Sequence, residues 1–244
     1  MRENYTLARL YIDKSLEDGA DISLSKVQTH YLTNVLRLKS GDSIRIFNGQ
    51  DGEWRAEVVN LSRKLVGLMI AERLRAPSSC PDIWLCFAPV RKHRNAFIIE
   101  KATELGASVL QPVITDHTQF PKIRLDKMQA QIIEAAEQTE RLDLPILKEP
   151  QKLSALIEGW NAERTLIMGD EAGGCRPAQT VLKSLTGPAA LLTGPEGGFS
   201  PSERDILRAK DFVTPVSLGP RILRADTAAV SLLTLWQAAQ GDWQ

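Results

Sequence analysis

Three short stretches near the carboxyl end gather the residue types that hold a small organic ligand. They are Met168-Gly169-Asp170-Glu171-Ala172-Gly173-Gly174, Thr193-Gly194-Pro195-Glu196-Gly197-Gly198-Phe199-Ser200 and Leu218-Gly219-Pro220-Arg221-Ile222-Leu223-Arg224-Ala225-Asp226-Thr227. In the second, three glycines let the backbone approach a ligand closely and take positive φ where a turn needs it. Pro195 stiffens the entry. Ser200-Pro201-Ser202-Glu203 then reads as a helix start, with Ser200 as N-cap, Pro201 in the first turn and Glu203 closing a capping box. Such a cap contributes about 1 kcal/mol; it pins the helix start and, with it, the glycine loop. The same residues also read as an ordinary strand-to-helix turn. The third stretch places Arg221 and Arg224 ahead of a helix that Asp226 or Thr227 is expected to cap.

The ligand these loops suit carries no phosphate. No lysine follows the glycines, as a GxxxxGK[ST] phosphate loop requires, and the dinucleotide spacing GxGxxG is absent. A glycine pocket with a carboxylate fits S-adenosyl-L-methionine (SAM), which offers an adenine face, ribose hydroxyls, an amino-acid tail and a sulfonium. A valine at position 197 is expected to fill that pocket. No metal is expected, because His30, His93 and His117 are scattered and Cys80, Cys86 and Cys175 form no CxxC pair. The odd, small cysteine count points to a reducing compartment, the cytoplasm. The amino end, MRENYTLARLYID, has no long apolar stretch, so no signal peptide is expected. No run reaches the roughly 20 apolar residues of a membrane span. The apolar AAVSLLTLWQAAQ near the end reads as a core or interface helix.

The elements that must position these loops fall into two halves. The chain has 244 residues, 43% hydrophobic and 25% charged, with a formal net charge of zero, which leaves room for two domains and for a local basic face. Residues 1–72 read mostly as β: ADISLS is a strand, and DSIRIFNGQDGEWRAEVVNLSRKLVGLMIAERL is a run of strands with a turn at NGQDGE. Short consecutive strands of this kind suggest a small barrel. KVQTHYLTNVLRL has helical spacing that puts Val27, Tyr31, Val35 and Leu38 on one face. RLRAPSSCPD is a linker, and the second domain is expected over 73–244. From residue 83 strands and helices alternate, which predicts a mainly parallel sheet covered on both faces, with ligands beyond the carboxyl ends of its strands.

LLTGPEGGFSPSE followed by LGPRILRADTAA resembles the paired SAM-binding signatures of RsmE-type SPOUT methyltransferases. KATELG and EAAEQTER resemble two further motifs of that family in the same order, and HYLTNVLRLKSGDSIRIFNG resembles its amino-terminal PUA-like barrel. The resemblance covers nearly the whole chain. It departs from the family where Asp226 stands for Glu, Glu140 for glycine, and RKHRNAF for a KGDR-like stretch. The implied fold class is α/β: a SPOUT domain with a mainly parallel sheet and a C-terminal trefoil knot, preceded by a small PUA-like β-barrel. The implied assembly is a homodimer with the active site at the subunit boundary, and no membrane is involved.

The implied activity is methylation of N3 of a uridine in 16S ribosomal RNA of the small ribosomal subunit. A SPOUT enzyme acting on another RNA or position, and a non-catalytic ribosome-assembly factor, are the alternatives. Leu192, Thr193, Gly194, Glu196, Gly197, Gly198, Leu218, Gly219, Ile222, Leu223, Arg224 and Thr227 are expected to hold SAM. Arg224 and Arg221 are expected to stabilise charge on the uracil oxygens, with Arg141 as a helper from the partner subunit, and Glu196 or Asp226 is the candidate base. Arg91, Lys92, Arg94, Lys101, Arg124 and Arg37 are the expected RNA contacts, with Lys122, Lys127, Lys39 and Arg45 in the same basic clusters.

Overall fold

The structure, a computed structural model, describes residues 4, 6–61 and 65–243. The chain divides into two compact units, Met1–Ser79 with Ala136–Asp143, and Cys80–Ala135 with Leu144–Gln244. The boundary expected between residues 72 and 73 falls inside a strand, and the first unit continues to Ser79.

The first unit holds strands β1 (Arg9–Tyr11) and β2 (Asp21–Ser23), helix α1 (Lys26–His30), and strands β3 (Ser43–Asn48), β4 (Gly52–Leu61) and β5 (Val66–Arg75). The strands pair in the order β1-β3-β4-β5-β2. The turn expected at NGQDGE joins β3 to β4, and Asn48 Oδ1 holds it by accepting from the Gln50 and Asp51 amides. Gly52 sits at φ +86°, where a Cβ would run into the Arg75 carbonyl. The expected helical face does not survive. α1 is capped by Ser25 and Gln28 and then widens into a π-helical turn, Tyr31–Val35, closed by the Leu36 amide on the Tyr31 carbonyl at 3.0 Å. The wider turn breaks the 3.6-residue period. Leu32 and Thr29 go inward, while Val27 is 80% and Val35 59% exposed.

A buried ionic cluster ties residues 136–143 into this unit. Arg9, whose side chain is 2% exposed, donates to Glu53 Oε1 at 2.7 Å and to the carbonyls of Ala136, Glu137 and Arg141. Arg75 also holds Glu53, at 2.8 Å. Glu140 accepts from Arg45 at 2.8 Å and lies 3.2 Å from Arg75. Glu140 takes a left-handed φ of +61°, a conformation that suits glycine, and its three arginine neighbours offset that strain. Arg45, expected on a basic surface, is instead 4% exposed and spent in this cluster.

The second unit runs β6 (Ile83–Phe87), α2 (Lys92–Glu104), β7 (Val109–Ile114), α3 (Leu125–Gln138, whose last three residues belong to the first unit), β8 (Ile146–Leu147), β9 (Gln151–Lys152), α4 (Leu153–Glu158), β10 (Thr165–Gly169), β11 (Arg176–Pro177), α5 (Ala178–Lys183), β12 (Ala189–Thr193), α6 (Pro201–Arg208), β13 (Val213–Ser217) and α7 (Ala225–Gln240). The strands pair in parallel in the order β11-β13-β10-β12-β6-β7-β8, with β9 also beside β7. The chain leaves β6 toward β7 on one side and later returns to β12 on the other. Both faces are covered, which explains why strands such as AALLT read as continuous apolar runs. Ala189 and Leu191 of β12 pack with Ile98 of α2, Val181 of α5 and Leu232 of α7. Ala190 and Leu192 pack with Leu156 of α4 and Leu207 of α6. The last helix is thus a core element on one side, with Ala229, Leu232, Leu233 and Trp236 buried.

Glu53 makes the first unit acid-sensitive. Burial alone would raise its carboxyl, but hydrogen bonds from Arg75 and Arg9 outweigh that and hold it below the usual glutamate range. The folded state is therefore favoured while the group is ionised in both states. That contribution is lost as pH falls from the ordinary range, about pH 4.3, through the depressed folded value. Glu53→Gln should cost about 3 kcal/mol at neutral pH, as removal of one buried partner does. It should also flatten the loss of denaturant midpoint between neutral and acid pH. An unchanged acid profile would remove Glu53 from this role.

Candidate active site

β12, β10 and β13 lie side by side and run parallel, so their carboxyl ends, Thr193, Gly169 and Ser217, share one rim of the sheet. The three loops singled out by composition leave from these ends and enclose a cavity of about 300 Å³. That volume is at the lower end of ordinary small-molecule sites. From the second loop it is lined by Thr193, Gly194, Glu196, Gly197 and Gly198. The third contributes Leu218, Gly219, Arg221, Ile222 and Leu223, with Ile222 82% exposed. The rest of the predicted set lies elsewhere. Leu192 is one residue back in β12 with its side chain in the core. Arg224, Asp226 and Thr227 begin α7 outside the cavity lining. Arg141 belongs to the other unit, is 7% exposed, and gives its Nε to Asp143 Oδ1 at 2.8 Å.

The local geometry shows why glycine is needed. A Cβ on Gly194 would press on the Phe199 ring at 3.2 Å, and Gly198 combines φ +67° with a Glu171 carboxylate where its Cβ would stand. A side chain at 197 would meet His117 at 3.2 Å, so a valine there would also push on that imidazole. The capping box predicted at Ser200 is present, with the Glu203 amide donating to Ser200 Oγ and the Ser200 amide to Glu203 Oε2. α7 departs from expectation. Its N-cap position is Arg224, without a side-chain cap, and Asp226 accepts from the Thr227 amide at 3.0 Å.

Two supports were invisible in the local pattern. The loop after β7 braces the glycine loop. Ser200 Oγ donates to Asp116 Oδ2 at 2.6 Å, the Asp116 amide donates to Glu203 Oε1, and His117 Nδ1 lies 2.9 Å from the Gly197 carbonyl. A carbonyl can only accept, so Nδ1 carries the proton. The loop after β10 is clamped from α6. Asp170, its side chain wholly buried, accepts from Arg208 at 2.6 Å with Arg204 at 3.4 Å, and Glu171 accepts from Arg204 at 3.0 Å. The Asp170 hydrogen bond holds the Arg208 guanidinium above its ordinary pKa. Asp170 and Glu171 both line the cavity. Among the described residues no group of three His, Cys, Asp or Glu side chains is placed to hold a metal ion.

The RNA methyltransferase domain family matches residues 77–237, and the RNA methyltransferase PUA domain matches 25–67. A ribosomal RNA small subunit methyltransferase E from Rickettsia conorii is 31% identical, across 92% of this chain and 93% of its own. One from Synechocystis is 35% identical, across 86% of this chain and 70% of its own. The chain belongs to the RsmE family. Two solved relatives were determined with SAM. A methyltransferase from Legionella pneumophila has a TM-score of 0.85 at 31% identity, covering 97% of this chain and 99% of its own. The RsmE enzyme of Neisseria gonorrhoeae has a TM-score of 0.86 at 26% identity, covering 98% and 100%. The first unit of this RsmE-family chain therefore contains the PUA-like domain and the second the methyltransferase domain.

Within this RsmE-family frame the basic residues separate into two groups. Among the described residues Arg221, Arg224, Arg91, Lys92, Arg94 and Arg37 have no carboxylate partner. Lys101 is held at 2.7 Å by both Glu100 and Glu104, which push its ammonium above the lysine range, and Arg124 is paired with Asp126 at 2.7 Å. The last two are largely neutralised and suit phosphate contact poorly. Asp170→Asn should take from Arg208 its carboxylate partner and leave Arg204 with Glu171 alone. Stability should fall by about 3 kcal/mol in denaturant unfolding, and a midpoint unchanged from wild type would show that the clamp carries no weight.

Proposed function

We propose that the chain transfers the methyl group of SAM to N3 of a uridine in 16S ribosomal RNA of the small ribosomal subunit. The observation that carries this reading is the meeting of three glycine-bearing loops around one cavity at the rim of a parallel sheet, in a chain of the RsmE family. The residues present fit SAM. Gly194, Gly197, Gly198 and Gly219 line the cavity, carboxylates stand in its wall, and the lining contains no lysine for a phosphate. Thr193, Gly194 and Gly197 on one side and Leu218, Gly219 and Ile222 on the other would hold it. Bound there, SAM supplies an electrophilic methyl on a sulfonium.

The protein must do the rest. N3 of uracil carries a proton and attacks poorly until it is removed. Its negative charge then spreads over the two flanking carbonyl oxygens, where a cationic donor stabilises the transition state. Arg221 lines the cavity and Arg224 stands at the start of α7, both exposed and without a carboxylate partner among the described residues, so their charge is available. Glu196, exposed in the lining, is the better placed base, since Asp226 lies off the lining and is engaged with the Thr227 amide. Arg141, buried and bonded to Asp143, is a poor helper in this chain. N3 lies on the pairing edge, so the base must be unpaired or turned out. Arg91, Lys92, Arg94 and Arg37 are the cations left to meet phosphate. The reading also carries a trefoil knot of the carboxyl-terminal segment, a homodimer and a cytoplasmic site of action.

Tritium transfer from labelled SAM to small-subunit RNA lacking the modification, followed by nucleoside mass spectrometry, tests it directly. Methyl on the ribose, or none transferred by folded protein, would overturn the assignment. Arg224→Ala should keep SAM affinity in calorimetry and lower turnover about 100-fold, as loss of one charge-stabilising donor does. Undiminished turnover would take Arg224 out of the reaction.

A further inference from the structure

Glu171 is a carboxylate of the cavity wall with half of its bonding capacity unused. It follows β10, its side chain is 35% exposed, and Arg204 Nη2 donates to its Oε1 at 3.0 Å. The carboxylate lies against the Cα of Gly198, so the absence of a side chain at 198 is what admits it to the wall. Among the described residues Oε2 has no hydrogen-bond partner.

Charge decides what that oxygen suits. Asp170 and Glu171 face Arg204 and Arg208, so this set of four is neutral. A neutral set with one open acceptor fits an uncharged O–H donor. A cation such as an ammonium is better served by Glu196, which has no cationic partner among the described residues. Resting on the methyl-donor reading above, we propose that Glu171 is a binding residue for the ribose cis-diol of the donor nucleoside, and that Arg204 is the positioning residue that aims it. Arg204 also reaches the Phe199 carbonyl at 3.5 Å, so the same guanidinium couples the acceptor to the glycine loop.

Calorimetry on the full chain tests this with three ligands: SAM, methylthioadenosine, which keeps adenine and ribose but lacks the amino-acid tail, and the dideoxy form of methylthioadenosine. Glu171→Gln should weaken SAM and methylthioadenosine alike, by roughly ten- to a hundred-fold, the worth of a hydrogen bond to a charged group, and leave the dideoxy ligand unchanged. Glu171→Asp, which keeps the charge but draws the oxygen back, should give the same pattern and serves if the glutamine variant folds poorly. Equal affinities in variant and wild type, or a loss confined to SAM, overturn the assignment; the second would place Glu171 on the amino-acid tail. Failure of the wild-type chain to bind SAM would instead refute the donor reading, and this inference with it.

Discussion

Parallel strands that are neighbours in a sheet end on the same rim, and in this chain the neighbours are β12, β10 and β13. Everything at the site follows from that adjacency. Loops separated by more than twenty residues along the chain leave the sheet within about 5 to 10 Å of one another, because neighbouring strands are about 5 Å apart. The loops must then pack closely around the cavity, and at Gly194 and Gly198 only a residue without Cβ leaves room for the Phe199 ring and the Glu171 carboxylate. The adjacency depends in turn on the apolar strands being buried on both faces, with Leu191 facing one helical layer and Leu192 the other.

Loops built from glycine need outside support, and the second unit supplies it with charge. The Asp170 side chain has no access to water, and Arg208 and Arg204 are the cations that pair with it. Those arginines sit four residues apart on α6, whose start is set by the Ser200 and Glu203 capping box. One short helix therefore holds the loop after β10 from one side and ends the glycine loop on the other. Asp116 and His117 close the arrangement from the loop after β7. Polar groups of this kind act as a set, since leaving any member unpaired costs more than the pair contributes.

The first unit uses the same device for a different end. Arg9, Arg45 and Arg75 gather Glu53 and Glu140, and Arg9 also fills the carbonyls that end α3. Residues 136–143 are distant in sequence from the strands they join, and this cluster, with the Tyr11 amide on Glu137, binds them together. It consumes Arg45 and leaves Arg37 exposed, so the charge that remains outward is smaller than the composition suggests.

Much of this was legible in the residues themselves. The alternation of apolar runs and amphipathic stretches announced the strands and helices of the second unit, and the serine, proline and glutamate after the glycines announced α6, because periodicity and capping are local physics. The two-residue strands β9 and β11 were not legible, since pairs of residues have no period. The face of Val27 and Val35 misled for a related reason: a π-helical turn alters the period that the pattern assumes. Asp116 looked like an ordinary turn residue and His117 like a surface or capping one, Asp170 and Glu171 stood in a stretch marked for ligand binding with no clamp foreseen, and Arg45 was expected in a basic cluster and Arg141 as a catalytic helper. Their roles depend on partners that sequence spacing cannot supply, 38 residues away for Asp170 and 84 for Asp116. The amino-acid order settled which loops carry glycine and which helix starts are capped. Which of those loops meet, and which charges are spent in holding them, was settled only when the strands took their places in the sheet.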